Sequence, residues 1–134
     1  MSVPDPRAFL ESLLRAAVAA ADPLRVVPPA LADLPARERT VVVGAGKAAL
    51  GMARAVAAHL GDQAVGAVVV PRGCGGDCPG IAVLEAGHPV PDEAGVAAAR
   101  RMLELASGAG AGALVLCLLS GGGSALMTLP GPGL

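Results

Sequence analysis

With 134 residues the chain is one domain, large enough for a single core, and its 54% apolar content argues against a disordered chain. A formal net charge of −1, with basic residues scattered along the chain, excludes the basic stripe that a nucleic-acid partner needs. One Phe and no Tyr or Trp leave a core of Ala, Val and Leu, close-packed but poor in buried area per residue.

Pro6 to Ala21 reads as a helix, with Phe9, Leu10, Leu13, Leu14, Ala17 and Val18 on one stripe and Pro6 at its start. No basic lead precedes it and no apolar run approaches the ~20 residues of a membrane span. A cytoplasmic protein without signal peptide or membrane partner is therefore expected. A proline-marked connection runs on to Arg39.

Thr40 to Val43 reads as a buried strand, G-A-G-K as a tight turn, and Lys47 to His59 as a helix. Gly44 and Gly46 keep the turn tight, and the helix start beside Lys47 offers free N–H groups to an anion. The spacing is not that of a Walker A loop, which has four residues between its glycines and Ser or Thr after the lysine. With Ala49 in the third small position it is also compatible with a dinucleotide loop. The following strand, Val65 to Val70, offers no acid for a ribose, only Arg72 for a 2′-phosphate.

A Gly-rich loop follows, R-G-C-G-G-D-C-P-G. Cys74 and Cys78 with His88 would give only three ligands of the four a closed zinc site needs. After the strand Ile81 to Glu85 comes E-A-G-H-P-V-P-D-E-A-G, whose prolines make a stiff strap that sets His88 and Asp92 in place. Either residue is open to two readings. Asp92 caps the helix Asp92 to Ala106 or has a catalytic or metal role at a substrate site, as a candidate general base, and His88 makes a loop hydrogen bond or contacts substrate or phosphate.

The strand Ala113 to Leu119, in which Cys117 is expected as a small core residue, leads into L-S-G-G-G-S-A-L. Three glycines, Gly121, Gly122 and Gly123, between Ser120 and Ser124 let backbone N–H groups turn toward an anion, and a helix starting near Ser124 would aim its positive end there. Alternating strands and helices imply a mostly parallel sheet flanked by helices. The loops at 44–47, 86–92 and 120–124 all follow strands, so they gather at one sheet edge, where ligands bind in such folds.

G-A-G-K-A-A-L-G-M-A, E-A-G-H-P-V-P-D-E-A-G and L-L-S-G-G-G-S-A-L, in that order, resemble the glycerate 2-kinase family, the MOFRL-type glycerate kinases often labelled hydroxypyruvate reductase. The resemblance runs from about Asp5 onward. It implies a Rossmann-like α/β amino-terminal domain facing a second domain across a cleft, in which ATP with Mg²⁺ phosphorylates the 2-hydroxyl of D-glycerate. It places a catalytic role on Lys47 and sets the loop 120–124 against phosphate or substrate.

Family members continue well past Leu134, so residues 1–134 are expected to be a truncated amino-terminal domain, inactive alone, with the second domain absent. A smaller departure is S-G-A-G-A-G-A at Ser107 to Ala113, where the family has an acidic lead into the strand. Two other readings stand beside the kinase. One is an NAD(P)-dependent hydroxypyruvate reductase, using Gly44 to Ala49 and Arg72; the other is a binding remnant without turnover.

Overall fold

The computed structural model describes residues 5–133. In chain order they form α1 (Pro6–Ala20), α2 (Pro23–Ala32), β1 (Thr40–Ala45), α3 (Ala49–Leu60), β2 (Ala64–Pro71), β3 (Ile81–Ala86), α4 (Glu93–Ser107), β4 (Leu114–Leu119) and the single turn α5 (Gly123–Leu126).

The four strands make one sheet in the order β3-β2-β1-β4, parallel throughout. Thr40 of β1 stands beside Ala64 of β2 on one side and Leu114 of β4 on the other. As the pattern of strands and helices implies, this is a parallel α/β sheet with helices on both faces.

Strand β1 is buried along its whole length because helices cover both faces, and so its sequence is a continuous apolar run rather than an alternating one. The period of two still sorts its side chains. Val42, with Val68 and Val70 of β2, packs with Ala53 and Val56 of α3 and Leu31 of α2. Val41, Val43 and Ala45 pack with Val69, Ala98 and Met102 on the α4 side. Small residues on α3 and α4 let the helices sit close to the sheet, the arrangement expected of a core without aromatics.

Three expectations are corrected. The connection before Arg39 contains α2, a ten-residue helix despite Pro28 and Pro29 in its interior. Pro23 occupies the first turn, where a missing N–H costs nothing, and Asp22 caps it by accepting from the Leu24 N–H at 2.9 Å. The packing of Leu31 and Val27 against α3 and its neighbours outweighs the two lost interior hydrogen bonds. The helix expected from Lys47 begins at Ala49, leaving Lys47 in the turn before it. Cys117 is exposed, not a core residue, because β4 is an edge strand on which Val115, Cys117 and Leu119 all lie open.

Helix α1 forms as the stripe predicts, with Asp5 as its cap, yet none of its residues is buried. Phe9, Leu10, Leu13, Leu14 and Val18 are all exposed. Among the described residues, no helix is long and apolar enough to cross a membrane.

Candidate functional site

The parallel sheet puts the ends of β1, β2, β3 and β4 on one edge, and the three loops singled out in the sequence meet there. Two of them are tied together by main-chain hydrogen bonds. The Ser120 N–H donates to the Ala45 carbonyl at 3.0 Å, and the Lys47 N–H donates to the Gly121 carbonyl at 2.9 Å. The Ala48 N–H donates to Ser120 Oγ at 3.0 Å, so a side chain from the loop after β4 holds the residue that immediately precedes the helix after β1.

Glycine is required where these loops cross. Gly46 has φ of 130°, and a Cβ there would overlap the Ser120 hydroxyl and come within 2.6 Å of its carbonyl oxygen. Gly122 has φ of 91°, and a Cβ there would stand 2.7 Å from His88 Nε2. The imidazole of the proline-stiffened strap thus lies against the glycine loop. All three loops are in contact, as their places after parallel strands required.

The donor count at this edge differs between the loops. At the first, the Gly46 N–H is taken by the Val69 carbonyl, Lys47 by Gly121, Ala48 by Ser120 and Ala49 by Gly46. Gly44 lies inside β1 and gives its N–H to Met102 Sδ at 3.3 Å. In the glycine loop, the Ser120 and Gly123 amides are used internally, whereas those of Gly121, Gly122, Ser124 and Ala125 have no acceptor among the described residues. Helix α5 is a single turn, so what this loop presents is a set of amide dipoles rather than a long helix macrodipole. Lys47, whose main chain is bonded to this loop at Gly121, is exposed and has no carboxylate partner among the described residues.

Asp92 is heavily engaged. Its Oδ1 accepts from the Gly95 N–H at 3.1 Å, capping α4, and its Oδ2 accepts from Arg72 Nη2 at 2.5 Å. A Cβ at Gly87 would stand 2.9 Å from the same carboxyl group. The Gly87 amide first, and then Arg72, hold its pKa down to about 2. Arg72 entered the sequence reading only as a partner for a 2′-phosphate. Its neighbourhood to Asp92 was missed, although its place just past the end of β2 was the available signal.

The Gly-rich loop before β3 is folded around a carboxylate of the chain itself. Glu85 accepts from the Gly75 N–H at 2.7 Å and the Gly73 N–H at 3.2 Å. Cys74, Cys78 and Cys117 are free, and burial pushes the Cys78 thiol above its ordinary value. Among the described residues no three His, Cys, Asp or Glu gather as metal ligands.

A parallel α/β domain with three interlocked loops at the carboxyl edge of its sheet is the class that this geometry defines. The chain belongs to the DUF4147 family, a domain of unknown function whose match spans residues 9–134. It is 45% identical over 125 residues to a protein of Agrobacterium vitis named, provisionally, a hydroxypyruvate reductase, covering 92% of this chain and 28% of that one. It is 37% identical over 133 residues to the glycerate 2-kinase of Pyrococcus horikoshii, covering 91% of this chain and 30% of the relative. The crystal structure of a Thermotoga maritima glycerate kinase superposes with a TM-score of 0.82 at 37% identity, over 96% of this chain and 32% of that one. The chain thus spans about a third of the length of these proteins and fits an amino-terminal portion of the family.

Proposed function

We propose that the chain is the amino-terminal third of an ATP-dependent kinase that phosphorylates the 2-hydroxyl of D-glycerate. The observation that carries this reading is the glycine loop, whose four unpaired amides stand next to an unpaired lysine at the edge where α/β sheets bind ligands. In the reaction the bond between the γ-phosphorus and its bridging oxygen breaks, its electron pair staying with ADP. A bond forms from the glycerate oxygen, whose proton leaves. Such a transfer needs positioning and charge neutralisation more than covalent chemistry. The amides of Gly121, Gly122, Ser124 and Ala125 hold phosphate oxygens, the Ser124 hydroxyl adds a donor, and Lys47 stabilises charge on the moving group.

Asp92, held ionised by Gly87 and Arg72, is a weak base, so the proton acceptor lies elsewhere. Mg²⁺ accompanies ATP in the family that the sequence resembles. Asp92 and Glu85 are already used on chain donors, and among the described residues no three His, Cys, Asp or Glu gather around a common point. The reductase reading is disfavoured at the first loop, because amides 46–49, which a dinucleotide pyrophosphate would need, are all spent inside the protein.

Gly121→Val is the test. A Cβ at Gly121 meets nothing within 4 Å, so the fold tolerates it while the added side chain enters the space a phosphate would fill. In the longer protein that contains this chain, the variant should keep its melting temperature and bind ATP at least about tenfold more weakly. Unchanged ATP binding removes the glycine loop from the phosphate site.

A further inference from the structure

We propose that Arg72 binds the carboxylate of the acceptor substrate and that Asp92 is the positioning residue that aims it. The assignment rests on the kinase reading above and adds to it a residue for the other end of the acid.

Arg72 directly follows Pro71, the last residue of β2, and its N–H donates to the Ala86 carbonyl at 3.1 Å, pinning its backbone between the ends of β2 and β3. One edge of its guanidinium is held by Asp92 Oδ2. That carboxylate cannot swing away, because its other oxygen is tied to the Gly95 N–H in the first turn of α4. The Arg72 side chain nevertheless remains 64% exposed. A guanidinium carries five donors, of which this pairing uses one. The rest have no acceptor among the described residues, leaving a fixed planar fork of the kind that receives a carboxylate through two parallel hydrogen bonds.

An exposed ion pair on a protein surface is the plain alternative. The cap on α4 does not require it, since the bond from Gly95 satisfies that role by itself. The place of the pair points to more. Asp92 and His88 belong to one short strap, and His88 lies against Gly122 of the glycine loop, so Arg72 and the unpaired amides flank the same strap. The amides and Lys47 belong to the β4 and β1 side of the edge, Arg72 to the β2 and β3 side. Strands in a sheet are about 4.8 Å apart, which puts the ends of β2 and β4 about 10 Å from each other, a distance that long side chains close from both sides. Phosphate at one end and carboxylate at the other set the hydroxyl of a short acid between them.

The test is steady-state kinetics of the longer enzyme. Arg72→Gln should raise KM for D-glycerate by about tenfold to a hundredfold, the range for loss of a charged hydrogen-bond partner, and leave KM for ATP within about twofold. Arg72→Lys should restore part of the loss, since it returns the charge but not the fork. Asp92→Asn retains a cap, because the Asn oxygen still accepts from Gly95, but loses the ionic pairing with Arg72; it should raise KM for D-glycerate by a smaller factor than Arg72→Gln, with KM for ATP within about twofold and a modestly lowered melting temperature. Unchanged KM for D-glycerate in Arg72→Gln overturns the assignment while leaving the kinase reading intact. A rise confined to KM for ATP also overturns it and gives Arg72 to the nucleotide. A wild-type enzyme that does not phosphorylate D-glycerate sinks the kinase reading and this assignment with it.

Discussion

Helices α1 and α4 are both fifteen residues long and both amphipathic, yet they have opposite fates. Helix α4 buries Gly95, Ala98, Ala99 and Met102 against the sheet, and α1 buries nothing. The difference is not in the helices themselves. Each has an Asp cap, on α1 from Asp5 and on α4 from Asp92, so local sequence suffices to start either one. Helix α4 follows β3 and is carried back over the sheet between two strands of it, whereas α1 lies one element further out than α2, which itself occupies the place against α3 before the first strand, and no strand pairing returns α1 to the core. A stripe of apolar residues therefore tells which face a helix would bury, and topology tells whether it does.

Core truncation on the two helices should separate them most strongly. Met102 is 3% exposed, sits in the core beside Val43 and Val69, and its sulfur accepts the Gly44 N–H. Met102→Ala should cost about 2 to 5 kcal/mol in urea unfolding. Leu13→Ala on α1, at a residue 51% exposed, should stay within about 0.5 kcal/mol. A Leu13 loss above about 1.5 kcal/mol would mean that α1 is covered in solution and that the two helices do not differ in burial.

Exposure itself has two meanings in this molecule, and charge removal distinguishes them. Lys47 and Arg15 are both exposed, the first beside the unpaired amides, the second on α1 next to Glu11. In the longer enzyme Lys47→Ala should lower turnover by at least about a hundredfold at an unchanged melting temperature, the scale for losing one charge-stabilising group. Arg15→Ala should leave turnover as it was. Near-normal turnover in Lys47→Ala would make that lysine an ordinary solvated side chain like Arg15.

Much of this site was legible in the sequence because a parallel sheet sends every loop that follows a strand to the same edge. Knowing that Val43, Glu85 and Leu119 lay near strand ends was enough to bring Lys47, His88 and Gly122 together. The bonds between the loops were not legible. Ser120 accepts from the Ala48 N–H across 72 residues of chain, and which amides remain free depends on the register of β1 against β4, which no local pattern encodes. The same limit explains Cys117. An apolar run marks a strand, but an edge position in the sheet order leaves one of its faces uncovered. Helix α2 was hidden for a different reason, since Pro28 and Pro29 depress local helix propensity and only the contact with α3 restores it.

The hydrogen bond to Ser120 offers a smaller and sharper test of how the carboxyl edge is held. Ser120→Ala leaves the Ala48 N–H without its acceptor and should cost about 1 kcal/mol, in the range for one lost part-buried hydrogen bond, with Ser120→Thr recovering most of it. Asp5→Ala, which removes the cap of α1, should affect the helicity of that segment and leave the unfolding midpoint of the sheet unchanged. Equal loss of global stability from both would show that α1 unfolds together with the core.

The smallest effect lies in acid. Asp92 is held at a pKa of about 2 by the Gly87 amide and by Arg72, below the value near 3.9 of a carboxylate in the unfolded chain. The folded protein therefore favours the ionised form, and the unfolded chain binds the proton first as pH falls. Its contribution to stability is complete above about pH 4 and disappears as pH passes down through about 2. Asn at position 92 cannot titrate. Plotted against pH between about 4 and 2, the unfolding free energy of Asp92→Asn should have a slope shallower by up to about one proton, while above about pH 5 the two curves run parallel. Identical slopes in that acid window would mean that the Gly87 and Arg72 contacts do not hold Asp92 in solution, and the strap would lose the anchor that fixes it over α4.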